Sequence, residues 1–155
     1  METKMARVDR ASQLIAASPE RLYRAFVEPD ALVSWLPPDG ARGRIDVFEP
    51  KPNGAFRMTL TFDSAHGKST DNTDVVNARF IELIPNQHIA WAIDFESEDP
   101  SFRGTMKMSW TFQRNDAGTL VAVEASDVPA GIAAEDHKNA MASSLRHLAA
   151  HVAKE

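Results

Sequence analysis

Residues Ser18–Gly40 read SPERLYRAFVEPDALVSWLPPDG, and they separate two kinds of periodicity. Ser18 is suited to cap a helix, Pro19 to occupy its first position, and Glu20 to face its positive end. Leu22, Tyr23 and Phe26 follow at three- and four-residue spacing, so they share one helical face. Pro29 ends that helix and opens a second, PDALVSWL, which Pro37-Pro38 stops. The Asp39-Gly40 pair then favours a turn. A large aromatic, Trp35, is thereby set at the lip of a break. It is either a lid or wall at the mouth of a groove or a plug at the end of a core.

Before this stretch, Arg7 to Ala16 reads as a strand with Val8, Leu14 and Ile15 inside. After Gly40 the period is two. In RIDVFEP, Ile45 and Val47 alternate with Asp46 and Phe48. KPNG is a hairpin signal, with Asn53-Gly54 suited to a tight turn. Phe56, Met58, Leu60 and Phe62 then alternate with Arg57, Thr59 and Thr61. SAHGKS, which contains His66, is a loop. VVNARFIELI and QHIAWAIDF flank a turn at Pro85-Asn86, and the second places Ile89, Trp91, Ile93 and Phe95 on one face. FRGTMKMSWTF places Met106, Met108, Trp110 and Phe112 together, and NDAG leads into a last strand, TLVAVEAS. From about Ala133 to Lys154 a long helix is expected, with Met141, Leu145, Leu148 and Val152 in one stripe and Ala134 and His137 near it. Glu135 and Asp136 lie near its positive end. The order is strand, two short helices, about six strands and one long helix, which is an α+β architecture with a helix over an antiparallel sheet.

The chain has 155 residues, enough for one domain with a sizeable core, and no repeat or linker divides it. A net charge of −5 argues against nucleic acid as a partner. No 18-residue apolar run and no apolar signal segment after METKMARVDR are present, so membrane insertion is not expected and a cytoplasmic location is. The absence of cysteine removes disulfides, thiol nucleophiles and cysteine metal sites. His147 and His151 have a spacing that can hold a metal on a helix, but no HExxH glutamate joins them, and His66, His88 and His137 do not cluster with them. Neither a metal nor a cofactor is expected. There is no GxSxG, no GxGxxG and no phosphate loop, so nothing commits the chain to catalysis.

The element order, together with SPERLYRAFVEPDALVSWLPPDG and FEPKPNGAFRM, resembles the bacterial proteins related to the activator of the heat-shock-protein-90 ATPase, in the START-like (SRPBCC) superfamily. The resemblance covers roughly residues 7–151. It implies a helix-grip fold over residues 1–155 with a core at about 7–153: a curved antiparallel sheet around the long C-terminal helix, often with a cavity between them. Two departures stand out. Asn53-Gly54 replaces a pair of glycines, and DHKNAMASSL stands where many relatives carry a glycine-tryptophan pair. Ala142 to Ser144 therefore leave room where a tryptophan would fill it.

Ligand-facing candidates are Trp35, Phe56, Met58, Phe62, Trp91, Phe95, Met106, Met108, Trp110, Met141 and Leu145. They line a pocket for an apolar or amphipathic, lipid-like molecule, or they form an ordinary packed core. His137 is the polar residue best placed to meet a ligand, and Arg103, Asp94 and Glu124 are the others. Two further functions stay open. One is a chaperone-associated interaction domain, as the family name implies. The other is a polyketide cyclase-like enzyme, which would need a buried polar pair such as His137 with Arg103. A monomer and a homodimer paired through a sheet edge or helix flank are both compatible with the sequence.

Overall fold

The computed structural model describes residues 7–64 and 67–154; His66 lies outside them. Seven strands, β1 (Val8–Ile15), β2 (Ala41–Phe48), β3 (Ala55–Phe62), β4 (Thr73–Ile84), β5 (His88–Glu96), β6 (Met106–Asn115) and β7 (Gly118–Ser126), form one sheet. Its order is β1-β7-β6-β5-β4-β3-β2, every neighbouring pair antiparallel. Helices α1 (Pro19–Val27) and α2 (Pro29–Trp35) follow β1, and α3 (Ala134–Ala153) follows β7. This is the α+β helix-grip arrangement expected from the sequence.

Local chemistry explains the boundaries. The Ser18 hydroxyl accepts from the Arg21 amide at 3.2 Å, and Pro19 opens α1. Leu22, Ala25 and Phe26 are buried, while Tyr23 is half-buried at the edge of that face. In the β2–β3 connection Asn53 takes a positive φ of 64°. Gly54 is required there because a Cβ would meet the Glu49 carbonyl oxygen at 2.0 Å. The turn is then stitched to β4, since the Asn53 amide donates to the Phe80 carbonyl and the Phe80 amide to that of Gly54.

Three sequence expectations are corrected. In β1, Ile15 is 3% exposed and cannot share a face with its neighbour Leu14, which is 48% exposed along with Val8 at 38%. The inward set is Asp9, Ala11, Gln13 and Ile15. In β2 a bulge between Ile45 and Val47 reverses the phase, turning Val47 out and Phe48 in. Phe48 then packs on Phe56 and Phe80. Finally, β6 begins at Met106 rather than Phe102, because Pro100–Phe102 is a 3₁₀ turn capped by the Asp99 carboxylate.

Helix α3 lies against β1, α2 and α1. Its buried stripe is Met141, Leu145, Leu148 and Val152, with Ser143 and Ser144 beside it. The helix is thus anchored at one side of the sheet, and the inward faces of β3, β4, β5 and β6 are left to form one wall of a hollow. Among the described residues no helix is long and apolar enough to cross a membrane.

Candidate functional site

Between the sheet and α3 lies a pocket of about 720 Å³. Period-two alternation supplies its sheet wall: Phe56, Met58, Leu60 and Phe62 from β3, Trp91, Ile93 and Phe95 from β5, and Met106, Met108 and Trp110 from β6. Met141, Ala142, Ser143 and Ser144 of α3 close the other side. Nine of the sequence-selected residues, Phe56, Met58, Phe62, Trp91, Phe95, Met106, Met108, Trp110 and Met141, line the pocket together with His137.

Three selected residues lie elsewhere. Trp35 is fully buried behind the wall, its indole Nε1–H donating to the Ala25 carbonyl at 2.8 Å and its ring packed on Phe26 and Trp110. Leu145 is core on the α3 stripe. Arg103 is exposed just after the 3₁₀ turn and takes no part in the wall. The other polar candidates are also outward: Asp94 accepts from the Thr105 hydroxyl at 2.6 Å, and Glu124 pairs with Arg10 at 2.7 Å.

It is the next residues, Leu36, Pro38 and Asp39, that face the pocket. This segment is tied to α3 by hydrogen bonds. The Ser144 hydroxyl donates to the Leu36 carbonyl at 2.6 Å, and the Asp39 carboxylate pairs with Arg146 and His147 at 2.7 Å each. His147 also meets the Pro37 carbonyl through Nδ1 at 2.9 Å. His147 is therefore committed to this strap. Among the described residues no three His, Asp or Glu side chains come together in a way that could hold a metal.

Two polar features of the pocket escaped the sequence reading. Lys68 and Asp74 line it as an ion pair at 2.6 Å, and the Lys68 amide donates to the same carboxylate. The ammonium sits 4.9 Å from the centre of the Phe95 ring. At another point His137 Nδ1 lies 2.8 Å from the Asp9 carboxylate, which Arg7 grips through two nitrogens. The one sequence signal for Asp9 was its parity with Ile15 in β1. Deep in the apolar wall, the Nε1–H groups of Trp91 and Trp110 have no hydrogen-bond partner among the described residues. Unpaired buried donors of this kind are rare in folded proteins.

The Arg7 hydrogen bond holds the Asp9 carboxyl below its usual range; burial opposes it and the His137 contact adds to it. Burial lowers His137 as well, against the opposing pull of Asp9 and with help from the Arg7 and Lys68 charges. Glu135, Asp136 and Lys138 are the other charged residues on its helical turn. A lowered histidine binds its proton more readily in the unfolded chain. The stability it contributes is complete above the unfolded value of about 6.5 and is lost as pH falls through the folded one. Asp9 adds its own loss below about pH 4. The urea midpoint is expected to be level above about pH 7 and to begin falling near pH 6.5, with His137→Gln moving the onset below about pH 5. Coincident profiles for the two proteins would show that His137 does not couple to folding.

A model of the family described as Activator of Hsp90 ATPase homolog 1-like protein matches residues 16–153. The chain belongs to that family. Among solved structures it is similar to a protein of Chromobacterium violaceum at 28% identity and a TM-score of 0.83, covering 94% of this chain and 96% of that one. A Rhodobacter sphaeroides protein is 22% identical, with a TM-score of 0.74 and coverage of 94% and 91%. A Staphylococcus epidermidis protein at 15% identity shares the fold with a TM-score of 0.75, covering 98% and 93%. None of the curated proteins compared matches the chain. Members of this Activator of Hsp90 ATPase homolog 1-like family have the START-like fold, consistent with a ligand-binding or regulatory domain.

Proposed function

We propose that the protein holds one small amphipathic, largely apolar molecule between its sheet and α3, without transforming it. The observation that carries this reading is the pocket of about 720 Å³ with its aromatic and methionine wall. Ligand sites typically span about 300–1,000 Å³ and combine apolar walls with a few polar groups. Methionine side chains adapt to varied ligand shapes.

The test is titration with the neutral fluorophore N-phenyl-1-naphthylamine, alongside native mass spectrometry of protein from its own host. Saturable fluorescence gain at one probe per chain, and a co-purifying apolar molecule, are expected. Linear, unsaturable fluorescence together with a clean unliganded mass would remove the reading. The family description supports a second one, regulation of a chaperone ATPase. An ATPase rate altered by the protein with its pocket blocked would favour that alternative.

A further inference from the structure

The charges in the pocket wall restrict what its ligand can be. The wall contains two cations, Lys68 and Arg146, and three carboxylates, Asp39, Asp74 and Asp136. Both cations are already engaged. Lys68 pairs with Asp74 at 2.6 Å, and Arg146 with Asp39 at 2.7 Å. Asp74 is 1% exposed, so pulling Lys68 away to meet an incoming anion would strand a buried carboxylate. Asp136 has no ion-pair partner among the described residues. A carboxylate or phosphate head group therefore finds no free cation here and meets one surplus negative charge.

His137 offers something different. Its Nδ1 faces the Asp9 carboxylate, which only accepts, so the ring proton belongs on Nδ1. The neutral ring favoured by its burial then presents Nε2 as a bare acceptor. Nε2 has no hydrogen-bond partner among the described residues, and His137 lines the pocket. The His137 side chain is 11% exposed, so the ring can be reached by a partner from outside the chain. Asp9 is itself 8% exposed and clamped by Arg7, which fixes the ring's orientation.

We propose that the ligand is a neutral molecule with a phenolic or alcoholic hydroxyl, which donates its hydrogen bond to Nε2 of the Asp9-oriented His137. The assignment rests on the pocket being a ligand site, and it makes His137 a specificity-determining residue that discriminates against free acids.

Three probes of nearly equal shape test it by displacing N-phenyl-1-naphthylamine at about pH 7.5: 2-naphthol, 2-methoxynaphthalene and 2-naphthoate. The naphthol can donate, the methyl ether cannot, and the naphthoate is charged. One neutral hydrogen bond makes the naphthol about tenfold tighter than the ether, and the naphthoate is the weakest of the three. In His137→Phe the naphthol advantage falls to about onefold while the ether is held within about threefold of wild type. Asp9→Asn, whose amide can turn its nitrogen towards Nδ1 and move the ring proton to Nε2, also removes the advantage. Equal affinities of naphthol and ether in the wild-type protein, or tightest binding by naphthoate, would overturn the assignment and leave the pocket standing. Failure of N-phenyl-1-naphthylamine itself to bind would remove the pocket reading and this inference together. The wild-type comparison requires no variant to fold.

Discussion

Replacing Trp35 by alanine is expected to cost about 3–5 kcal/mol of folding stability, the range for truncating a large buried aromatic. The indole is fully buried and sits 4.6 Å from Phe26 and 5.5 Å from Trp110, centre to centre. These rings belong to a continuous aromatic run, in which Trp110 touches Trp91, Trp91 touches Phe56, and Phe56 touches Phe80. Truncation also leaves the Ala25 carbonyl without its donor, close to the turn where α1 gives way to α2. Trp35→Phe keeps most of the packing and loses the hydrogen bond, so about 1–2 kcal/mol is expected. Urea midpoints at unchanged slope measure both. A loss below about 1 kcal/mol in Trp35→Ala would mean that the ring does not brace the core. The same variant is expected to bind N-phenyl-1-naphthylamine within about threefold of wild type at 25 °C, because Trp35 stands behind the pocket wall. A lid would give the opposite pattern, with stability kept and affinity lost.

The second large effect is on binding. Met141→Trp is expected to weaken N-phenyl-1-naphthylamine binding by roughly a hundredfold. Met141 is 3% exposed, lines the pocket, and sits on a helix held in place by β1, α1 and α2. The added ring has its own helix behind it, so it takes its volume from the pocket. Excluding about 100 Å² of probe surface at about 25 cal/mol per Å² removes about 2.5 kcal/mol of affinity. Stability should fall by no more than about 3 kcal/mol, since the hollow absorbs most of the ring and overpacking is limited. Thermal melts and the fluorescence titration separate the two quantities. Undiminished probe affinity in a folded Met141→Trp protein would place the probe somewhere other than beside α3.

The architecture was legible because its signals are local. Alternation through Phe56–Phe62, Ile89–Phe95 and Met106–Phe112 set the inward faces of three central strands, where both neighbours enforce the pleat. Errors gathered at the margins of the sheet. β1 and β2 are its edge strands, and a bulge at Ile45/Val47 turns Phe48 inward although its neighbours alternate the other way. Much of the pocket wall was visible for the same reason as the central strands. Its polar parts were not, because each depends on a long-range encounter. Asp9 reads as an ordinary surface residue until α3 brings His137 to it, and Lys68 reads as a loop lysine until Asp74 folds back beneath it. For Trp35 the proline break was a sound signal that the chain turns there. What sequence could not choose was which side of the wall the indole would occupy.

The Asp9–His137 contact joins residues 128 positions apart, one in the first strand and one in the first turn of the last helix. During synthesis the consecutive hairpins from β2 to β7 can pair as they emerge, whereas β1 finds its partner only when β7 has been made. The Asp9–His137 pair, and with it the proposed acceptor, therefore forms only after α3 has been made and docked. A nascent chain with its meander complete already possesses an apolar trough, but it has no means yet of choosing what enters. On the proposed reading, selectivity is therefore acquired only when α3 docks against β1.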